Sequence, residues 1–409
     1  MSAADPFSDL IAPFSRRGVD LGLDRLEAAL ADLGHPERRF AAVQVAGTNG
    51  KGSISTMIHA IATAAGIRCG LYTSPHLLSW CERIRLPEGL ISTEHLQRLL
   101  RDLQPVALRH DLTPFELVTA AAMQAFAEAE AELVVLEVGL GGRLDATTVH
   151  PSRQVLAFAS IGRDHTEHLG PTISAIAAEK AGVLHGAAIA ISGPQVGEAA
   201  QVLTEQAQRI GCSLRWVAPL PALGEGGPEL GLRGDLQRLN GAVATGAAEA
   251  LGELGWPIDA AAIAQGLRQA RWPGRLDHRL FEGQPLLLDG AHNPPAAAAL
   301  RQELDQLERQ AGGTTPRRWL IGMQRHKDAP ELLRTLLRPG DQVRVVSLPE
   351  EHSSWSAAEL QAATGLAMEQ GEGHLCDQLH WLMQSTALPV ACGSLYLVAE
   401  LLPLLKATD

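Results

Sequence analysis

The sequence lacks the features that mark disulfide-rich, membrane-spanning and nucleic-acid-binding proteins. Its five cysteines are an odd number and show no CxxC spacing, which argues against a disulfide framework and against a zinc site. It has no run of 18 apolar residues, so we expect no transmembrane helix. Lys and Arg number 34 against 46 Asp and Glu, and a chain of net charge −12 is a poor non-specific binder of nucleic acid or of an anionic membrane.

Aromatic residues make up only 4% of the chain, so Leu, Ala, Val and Ile must fill the core. Hydrophobic residues at 46% and charged residues at 20% are typical of a globular enzyme and exclude wholesale disorder. The N-terminal stretch MSAADPFSDLIAPFSRRG has no basic segment followed by a long apolar run, so we expect no secretory signal and a cytoplasmic protein. A length of 409 residues predicts two domains of unequal size.

Short apolar runs that favour β-structure alternate with longer segments of helical periodicity. In the first part of the chain the predicted strands are 41–46, 68–73, 132–137, 153–160 and 187–192. The predicted helices are 24–34, 54–66, 93–104, 114–130, 171–184, 195–211, 238–254 and 258–270. Strands that are apolar nearly throughout are typical of a parallel sheet covered on both faces. The alternation therefore predicts a doubly wound α/β domain.

The segment RWPGRLDH, residues 271–278, interrupts this alternation with a Pro–Gly pair. After it the pattern restarts, with strands predicted near 285–289, 317–322, 342–347 and 388–392 and helices near 294–310, 328–338, 356–369, 374–385 and 395–406. We therefore predict an N-terminal domain over 1–272 and a smaller α/β domain over 273–409.

The strongest local signal is VQVAGTNGKGS, residues 43–53, where a predicted strand enters a glycine-rich turn that leads into a helix. Glycines let backbone N–H groups point toward an anion, and the helix N-terminus adds a positive potential there. We expect ATP to be bound by Gly50, Lys51, Gly52 and Ser53. Lys51 would neutralise the outer phosphates, and the Ser53 hydroxyl could reach a magnesium ion. The usual P-loop has no residue in the place of Gly52, between the lysine and the hydroxyl residue.

Three polar residues end or follow predicted strands: Ser74, Glu137 and His165. A carboxylate at the end of an apolar strand is costly to bury unless a cation compensates it. For Glu137 that cation could be a metal ion or, equally, the guanidinium of Arg143. Ser74 could be only a turn residue, and His165 only a hydrogen-bonded loop histidine. Because the carboxyl ends of parallel strands meet at one edge, the three together favour a magnesium site beside the phosphate loop.

The motif GTNGKGS resembles the phosphate loop of the folylpolyglutamate synthase and dihydrofolate synthase family, the folate branch of the Mur ligase superfamily. Further matches follow in order along nearly the whole chain: LGLDR (21–25), YTSPHL (72–77), ERIRL (82–86), LTPFE (112–116), LEVGLGGRLDAT (136–147), DHTEHLG (164–170), EKAGV (179–183), WPGR (272–275), DGAHNP (289–294) and GSLY (393–396). Thr148 departs from the pattern, since the family usually has Asn there. The resemblance implies a P-loop domain of the Mur ligase central type followed by a Rossmann-like α/β domain.

The resemblance also implies the cofactors and the metal ligands. Ser74, Glu137 and His165 fall on metal positions of the family, and we expect two magnesium ions together with ATP as co-substrate. Lys180 lies in a predicted helix, where sequence alone favours a solvated lysine. It matches, however, a lysine that the family carries in carbamylated form.

Nucleotide-binding and catalytic residues are implied in both predicted domains. Asn240, Arg275 and Asp289 match positions that contact ATP, the arginine by way of phosphate. His292 is a neighbour of the phosphates, and we expect it to be catalytic together with Lys51 and Lys180. ATP would then lie between the domains, and their closure would exclude water. Asn240 has a second interpretation, since it could simply cap the predicted helix 238–254.

Three stretches match the pteroate-binding segments of the family. Their residues are Gly22, Leu23, Asp24, Thr113, Pro114, Phe115, Glu116, Leu144, Asp145 and Ala146. Phe115 could stack on a pterin ring, and Asp24 or Asp145 could pair with its polar edge. Each also has a structural interpretation, with Leu23 and Phe115 as core residues, Asp24 as a helix start and Asp145 as a turn residue.

The implied activity is an ATP-dependent amide ligase that joins L-glutamate to dihydropteroate and to the γ-carboxylate of tetrahydrofolate and its polyglutamates, through an acyl phosphate. Because all three substrate stretches are present, we expect both activities, with folylpolyglutamate synthase alone as the alternative. Gly52 and the short segment before the first strand disfavour a cell-wall Mur ligase. An ATP-dependent binding protein without ligase chemistry would need neither Asp289 nor Lys180. We expect the enzyme to be a monomer.

Overall fold

Two α/β units, each built on its own sheet, make up the chain. The computed structural model describes residues 5–408 except 18, 311, 314 and 350–352. Contacts within the chain group Met1–Gly231 with Gln237–Arg271 as a first unit, and Leu232–Leu236 with Trp272–Asp409 as a second. Within the described parts of the chain, no helix is both long and apolar enough to cross a membrane.

Helices and strands alternate through both units. Up to residue 271 they are α1 (Ser8–Ile11), α2 (Asp24–Asp32), β1 (Ala41–Ala46), α3 (Lys51–Ala64), β2 (Cys69–Tyr72), β3 (Ile84–Leu86), β4 (Gly89–Leu90), α4 (Thr93–Arg109), α5 (Pro114–Glu128), β5 (Leu133–Glu137), β6 (Arg153–Phe158), α6 (Thr166–Leu169), α7 (Ile173–Ala181), β7 (Ile189–Ser192), α8 (Gly197–Ile210), β8 (Ser213–Trp216), α9 (Asp235–Glu253) and α10 (Ala260–Gln269). The remainder are β9 (Asp277–Phe281), β10 (Gln284–Asp289), α11 (Pro294–Gln310), β11 (Arg318–Ile321), α12 (Ala329–Leu336), β12 (Gln342–Val345), α13 (Ala357–Thr364), β13 (Glu369–Gln370), α14 (Leu375–Leu382), β14 (Val390–Cys392), α15 (Leu395–Leu401) and β15 (Lys406–Ala407).

The first sheet has eight strands in the order β4-β3-β2-β5-β1-β6-β7-β8. It is parallel from β2 to β8, and the β2–β3 and β3–β4 pairs at one edge are antiparallel. Every residue of β5 is buried, as expected for a central strand of a parallel sheet that is covered on both faces. The carboxyl ends of β2, β5, β1 and β6 therefore lie side by side at one edge.

The second sheet has seven strands in the order β13-β12-β11-β14-β10-β9-β15. It is parallel from β13 to β10, and the β10–β9 and β9–β15 pairs at the other edge are antiparallel. Its central strands β11 and β14 pack against a core that includes the buried Trp319. The predicted fold class, two α/β domains of which the first is doubly wound, is confirmed.

The prediction misses β3, β4, β8, β9, β13 and β15, each of which is an edge strand or the neighbour of one. These strands are short and partly exposed, so they carry no continuous apolar run that would indicate a strand. The predicted helix 356–369 is also wrong in its second half. Gly365, with φ +74°, ends α13, and the chain then enters β13.

The close packing of α10 on α3 can be tested at Gly266. A Cβ at this position would overlap the backbone N and Cα atoms of Ile61, within the helix that follows the phosphate loop. Gly266→Ala should therefore lower the free energy of unfolding by about 1–3 kcal/mol, although alanine is the better helix former. Urea denaturation measures the effect.

Gly252→Ala in α9 is the matched control, because its nearest atom, Ile258 O, is 3.5 Å from the added Cβ. This variant should be as stable as the wild type or slightly more so. Equal stabilities of the two alanine variants would contradict the packing argument.

Candidate functional site

The phosphate loop, residues 47–50, joins β1 to α3 and is fastened to the segment that follows β6. The N–H groups of Thr48 and Asn49 donate to Ser160 O at 2.8 and 3.3 Å. Thr48 Oγ1 donates to Gly162 O and accepts from Gly162 N, both at 3.1 Å. Because these two N–H groups are engaged, an anion would meet the N–H groups of residues 50–53 at the start of α3.

Two glycines give the loop its shape. Gly47 has φ +140°, and a Cβ there would lie 2.6 Å from Ala159 Cβ and 2.9 Å from Ala159 O. Gly50 has φ +98° and forms the N-cap of α3, where a Cβ would lie 2.5 Å from Asn240 Oδ1. Glycine is thus required at both positions by backbone conformation and by space.

Asn240 lies against this loop, but not in the way that its sequence position suggested. The helix α9 begins at Asp235, so Asn240 is inside the helix and does not cap it. Its side chain is buried and donates to Gln237 Oε1 at 3.0 Å. The capping interpretation is wrong, and the contact with Gly50 is compatible with a role at the nucleotide.

Lys51 and Ser53 both lie on the first turn of α3. Lys51 is half-buried, and its Nζ donates to Thr48 O at 3.1 Å, so the ammonium group lies over the loop. Ser53 is buried. A cation and a hydroxyl are therefore placed where the sequence motif predicts phosphate and magnesium.

Ser74 and Glu137 meet at the carboxyl edge of the first sheet. Glu137 ends β5, pairs in register with Val45 of β1, and is 4% exposed. The N–H of Ser74, two residues beyond the end of β2, donates to Glu137 Oε2 at 3.1 Å. Arg143 pairs instead with Glu179 at 2.9 Å, so it does not serve Glu137 as the sequence alternative allowed.

His165 follows β6 at the same edge and adopts φ +49° at the start of α6. Its backbone N–H donates to Asp164 Oδ1 at 3.0 Å. Its ring nitrogens lie 3.9 Å from Asp164 Oδ2 and 3.7 Å from Glu167 Oε1. Two carboxylates, those of Asp164 and Glu167, thus lie within 4 Å of the imidazole ring.

The few oxygen ligands at this edge of the sheet suit a magnesium ion whose remaining ligands are water and substrate phosphates. In the described residues, no group of three or more His, Cys, Asp or Glu side chains is arranged to hold a metal ion. Magnesium is commonly held by one or two carboxylates while substrate phosphates and water complete its shell. The buried carboxylate of Glu137 with the neighbouring Ser74 hydroxyl fits this pattern, whereas the ring nitrogen of His165 fits it less well.

Lys180 is buried at the foot of the phosphate loop. Its Nζ donates to Gly47 O at 2.9 Å, and only 4% of the residue is exposed, so the interpretation as a solvated helix lysine is wrong. Burial, reinforced by the nearby charge of Lys51, lowers the pKa of Lys180 to about 7, although Asp164 and Asp145 oppose the shift. A substantial fraction of the amine is therefore neutral near physiological pH.

Asp145 has an internal role. Its carboxylate is 1% exposed, and Oδ2 accepts from the N–H groups of Gly139 and Leu140 at 3.0 and 2.9 Å. Oδ1 accepts from Thr147 N at 3.0 Å and Thr147 Oγ1 at 2.6 Å. Burial raises the pKa of Asp145, and these donors oppose the rise. Direct pairing with a pterin would require these hydrogen bonds to be exchanged for new ones.

The second predicted substrate stretch forms the N-terminus of α5. Thr113 and Glu116 make a capping box, in which Thr113 N donates to Glu116 Oε2 at 2.7 Å. Phe115 is half-buried beside Tyr72, with ring centroids 6.1 Å apart. A Cβ on Gly139 would lie 2.6 Å from Phe115 Cζ, so the ring edge packs directly on that glycine.

The other substrate stretches are partly open to solvent. Gly22 and Leu23 are half-buried, and Asp24 is exposed where it begins α2, as the helix-start interpretation had it. Leu144 is half-buried and Ala146 is buried. The exposed faces of these segments come from Gly22, Leu23, Asp24 and Leu144.

In the second unit, Asp289 ends β10 and holds the turn after it. Its Oδ2 accepts from Leu276 N and its Oδ1 from Ala291 N, both at 2.8 Å. Burial raises the pKa of Asp289, and neighbouring Arg275 opposes the rise. His292 Nδ1 lies 2.8 Å from Gly290 O, which can only accept, so the proton is on Nδ1 and a neutral ring has its lone pair on Nε2. Asp289, Arg275 and His292 are thus brought to one turn.

Sequence reasoning missed a polar network beneath the site. Gln44 Nε2 donates to the hydroxyls of Thr147 and Thr148 at 2.8 and 2.9 Å. Its Oε1 accepts from Arg153 Nη1 at 2.7 Å, and the same nitrogen donates to Val183 O at 2.9 Å. Thr148 therefore keeps a turn contact despite its departure from the family pattern. The available signal was a single polar residue within the apolar strand β1.

Comparison with known proteins places this geometry in a family. Residues 45–192 match the Mur ligase middle domain, and residues 277–404 match the C-terminal domain of dihydrofolate synthetase. Dihydrofolate synthetase of Saccharomyces cerevisiae is 31% identical over 431 residues, covering 94% of this chain and 97% of the relative. Dihydrofolate synthase/folylpolyglutamate synthase of Bacillus subtilis is 36% identical over 321 residues, covering 71% and 73%.

Solved structures agree over nearly the whole chain. E. coli FolC in complex with DHPP and ADP is similar with a TM-score of 0.85 at 28% identity, covering 98% of this chain and 97% of that one. Mycobacterium tuberculosis folylpolyglutamate synthase with ADP and AMPPCP gives 0.83 at 30% identity, covering 93% and 94%.

The phosphate loop on a doubly wound sheet, followed by a second α/β unit, defines an ATP-dependent ligase of the Mur ligase class. Within that class, the chain belongs to the dihydrofolate synthase/folylpolyglutamate synthase family. The family resemblance deduced from the sequence is thereby confirmed. Relatives solved with ADP and AMPPCP, and with AMPPNP and a manganese ion, agree with the expected ATP and divalent cation. The roles of individual residues stay predictions.

The buried amine of Lys180 predicts a dependence of stability on pH. The folded protein releases the proton above a pKa of about 7, whereas the unfolded chain keeps it up to the ordinary value of 10.5. The wild-type free energy of unfolding should therefore gain up to about 1.4 kcal/mol per pH unit from this group between those values. Lys180→Met should remove this gain and be the more stable protein at pH 7 and below.

Denaturant unfolding in bicarbonate-free buffers from about pH 6 to pH 9.5 measures the effect. Lys406→Met is the control, because Lys406 is exposed on β15 and its loss should leave the pH dependence as in the wild type. Parallel pH curves for the wild type and Lys180→Met would contradict the burial argument.

Proposed function

We propose that this chain is a bifunctional ligase that joins L-glutamate to dihydropteroate, giving dihydrofolate, and to the terminal side-chain carboxylate of folate glutamates. The observation that carries the proposal is the bond between Lys180 and Gly47 O, which sets an anion-forming amine at the foot of the phosphate loop. The Asp145 turn, part of a predicted substrate stretch, is close enough to affect the same amine electrostatically. Phosphate-transfer and substrate-binding elements are thus neighbours within the first unit.

The chemistry explains why these groups are needed together. A carboxylate is a poor electrophile, so the reaction first transfers the terminal phosphoryl group of ATP to a carboxylate oxygen, releasing ADP. The amine of glutamate then attacks the acyl carbon of this acyl phosphate, and inorganic phosphate leaves with the bridging oxygen. Catalysis of such a transfer depends on positioning and on stabilisation of the charge that develops on the phosphoryl oxygens.

The start of α3 supplies that stabilisation. The N–H groups of residues 50–53 would hold the phosphates, and Lys51, already curled over the loop, would follow the charge on the outer phosphate. Magnesium, held by Glu137 and Ser74, would neutralise phosphate oxygens. Glu137 is buried against the Ser74 backbone, so its carboxylate is fixed in direction before any ligand arrives.

The buried position of Lys180 supports carbamylation of its amine. A neutral amine can add to carbon dioxide, losing one proton and becoming a carbamate, and the lowered pKa of Lys180 makes that form available. The product would replace a cation by an anion at the foot of the loop, and the repulsion with Lys51 would become attraction. This supports the carbamylation that the family resemblance implies.

The internal hydrogen bonds of the substrate stretches limit which of their side chains we propose as contacts to a pterin. Phe115 retains its proposed role as an aromatic surface for a pterin ring, while Glu116 is committed to the cap of α5. Asp145 would act by shaping the turn of Leu144 and Ala146. In the second unit, Arg275, Asp289 and His292 keep their proposed roles toward ATP, since one turn carries all three.

The proposal also includes the oligomeric state and the cellular location of the enzyme. The proposed site residues all come from one chain, so a monomer is sufficient, and analytical ultracentrifugation tests this. All five cysteines lie in described ranges and are free thiols, which supports a reducing compartment such as the cytoplasm. Cell fractionation tests the location.

A dihydrofolate synthase without the second activity is the other candidate. The match of residues 277–404 to the dihydrofolate synthetase C-terminal domain favours it. So does the dihydrofolate synthetase of S. cerevisiae, which aligns over 97% of its own length. The two candidates differ only in whether tetrahydrofolate is elongated.

Mass spectrometry of reaction products separates these functions. Purified protein with ATP, magnesium and L-glutamate should convert dihydropteroate to dihydrofolate and tetrahydrofolate to its diglutamate. Both products are expected because all three substrate stretches are present, and each reaction proceeds through an acyl phosphate of its own substrate. Dihydrofolate alone would establish the monofunctional synthase, and elongation of tetrahydrofolate alone would refute the first activity.

Lys51→Ala serves as the inactive control, because it removes phosphate charge stabilisation without touching the core. Its turnover should fall at least about 100-fold, while its unfolding curve stays that of the wild type. Lys327→Ala, a lysine substitution in the second unit, should retain turnover. A folded Lys51→Ala variant with normal turnover would remove the ATP-site assignment.

The magnesium assignment is tested by Glu137→Gln. Loss of the buried carboxylate should lower turnover at least about 100-fold at saturating magnesium. Binding of Mn²⁺ in the presence of ADP, followed by electron paramagnetic resonance, should weaken in parallel. Glu132→Gln is the control, since Glu132 is exposed at the opposite end of the same strand region. Unchanged Mn²⁺ binding in Glu137→Gln would make Glu137 a purely structural residue.

A further inference from the structure

Arg25, on the first turn of α2, connects two segments that lie far apart in sequence. Its Nε donates to Glu116 Oε1 and Oε2 at 3.2 and 3.3 Å, across a separation of 91 positions. Its Nη1 donates to Asp20 Oδ2 at 3.0 Å and its Nη2 to Asp20 O at 2.7 Å. The planar guanidinium thus binds the chain before α2 on one side and the N-terminus of α5 on the other.

Glu116 is the fixed partner in this arrangement. It is 3% exposed, and its Oε2 also accepts from Thr113 N at 2.7 Å as part of the capping box. Arg25 therefore pairs with a carboxylate that cannot move without opening the first turn of α5. An arginine suits this position because its fork makes several hydrogen bonds in one plane, which a lysine cannot reproduce.

The contacts continue from α5 to the third substrate stretch. Phe115, next to Glu116, packs its ring edge on Gly139. The N–H of Gly139 donates to Asp145 Oδ2 at 3.0 Å. Segments 20–24, 113–116 and 144–146 are therefore linked in series by Arg25, Phe115 and Asp145.

We propose that Arg25 is a positioning residue for the pteroate part of the substrate: it fixes residues 20–24 against the N-terminus of α5, so that the three stretches form one wall. This inference rests on the proposed function, because it assigns those stretches to substrate binding. Arg25 itself faces Asp20 and Glu116 and is assigned no contact with substrate. Its removal should loosen the wall while leaving the phosphate loop in place, because the loop is held by its own bonds to Ser160 and Gly162.

The test compares Arg25→Met with Arg109→Met. Arg109, at the end of α4, makes an exposed ion pair of 2.6 Å with Asp32. Asp32 lies at the end of α2 opposite to Arg25, so Arg109→Met removes a charge and an ion pair without touching the wall. Steady-state kinetics with dihydropteroate, tetrahydrofolate and ATP are measured for both variants. Binding of dihydropteroate without turnover is followed by fluorescence, and the melting temperature is recorded.

Arg25→Met should raise the KM and the Kd for dihydropteroate at least about tenfold, the equivalent of one charged hydrogen bond. Its kcat and its KM for ATP should stay within about twofold of the wild type, because the reacting groups are not displaced. The KM and the Kd of Arg25→Lys for dihydropteroate should lie between those of the wild type and those of Arg25→Met. Arg109→Met should match the wild type in every constant.

Several outcomes would overturn the proposal. A KM for dihydropteroate within twofold of the wild type in Arg25→Met would show that the wall does not need the arginine. If the KM for dihydropteroate and the KM for ATP rise together and the melting temperature falls strongly, the role of Arg25 is structural. The same conclusion follows if neither Arg25→Met nor Arg25→Lys folds. If wild-type protein neither binds nor converts dihydropteroate or tetrahydrofolate, the proposed function itself fails, and this inference fails with it.

Discussion

The site depends on a buried amine that is held against a backbone carbonyl. Lys180 reaches from α7 to Gly47 O, out of solvent, and the charge of Lys51 is near enough to disfavour a proton on the amine. Such an arrangement is costly without an anion and becomes favourable with one. The polyphosphate of a nucleotide, a carbamate on Lys180 itself, or both, would supply that negative charge. The positive charge around the phosphate loop is thus balanced only when an anion is bound there.

Rigid anchoring sets this charge in place. Gly47 lies against Ala159, the loop backbone is bonded to Ser160, and Gln44 ties the strand below to the turn of Thr147. The same turn carries Asp145, which reaches the Phe115 contact by way of Gly139. Phosphate loop and substrate wall are therefore connected through one series of hydrogen bonds and packing contacts.

The sequence was sufficient for the architecture and for the residues that a motif marks. Apolar central strands and the glycine-rich turn are local signals, and both are found where they were predicted. Edge strands such as β8 were missed because partial exposure removes the apolar run. The burial of Lys180 and the pairing of Glu116 with Arg25 could not be foreseen, because each depends on a partner distant in the chain. The bonds of Asp145 are local, in keeping with its interpretation as a turn residue. Gln44 was the exception, since one polar residue in an apolar strand is visible in the sequence itself.

The anchors of the phosphate loop have a consequence for how this unit is made. The loop is bonded to residues 114 and 133 positions later, Gly162 and Lys180. A nascent chain therefore exposes its glycine-rich turn long before the ribosome has delivered the segments that hold it. Contacts of such long range form slowly and late, because a long loop must close before they stabilise anything. A chain interrupted before residue 162 would therefore carry the glycine-rich motif without the bonds that hold the loop in shape.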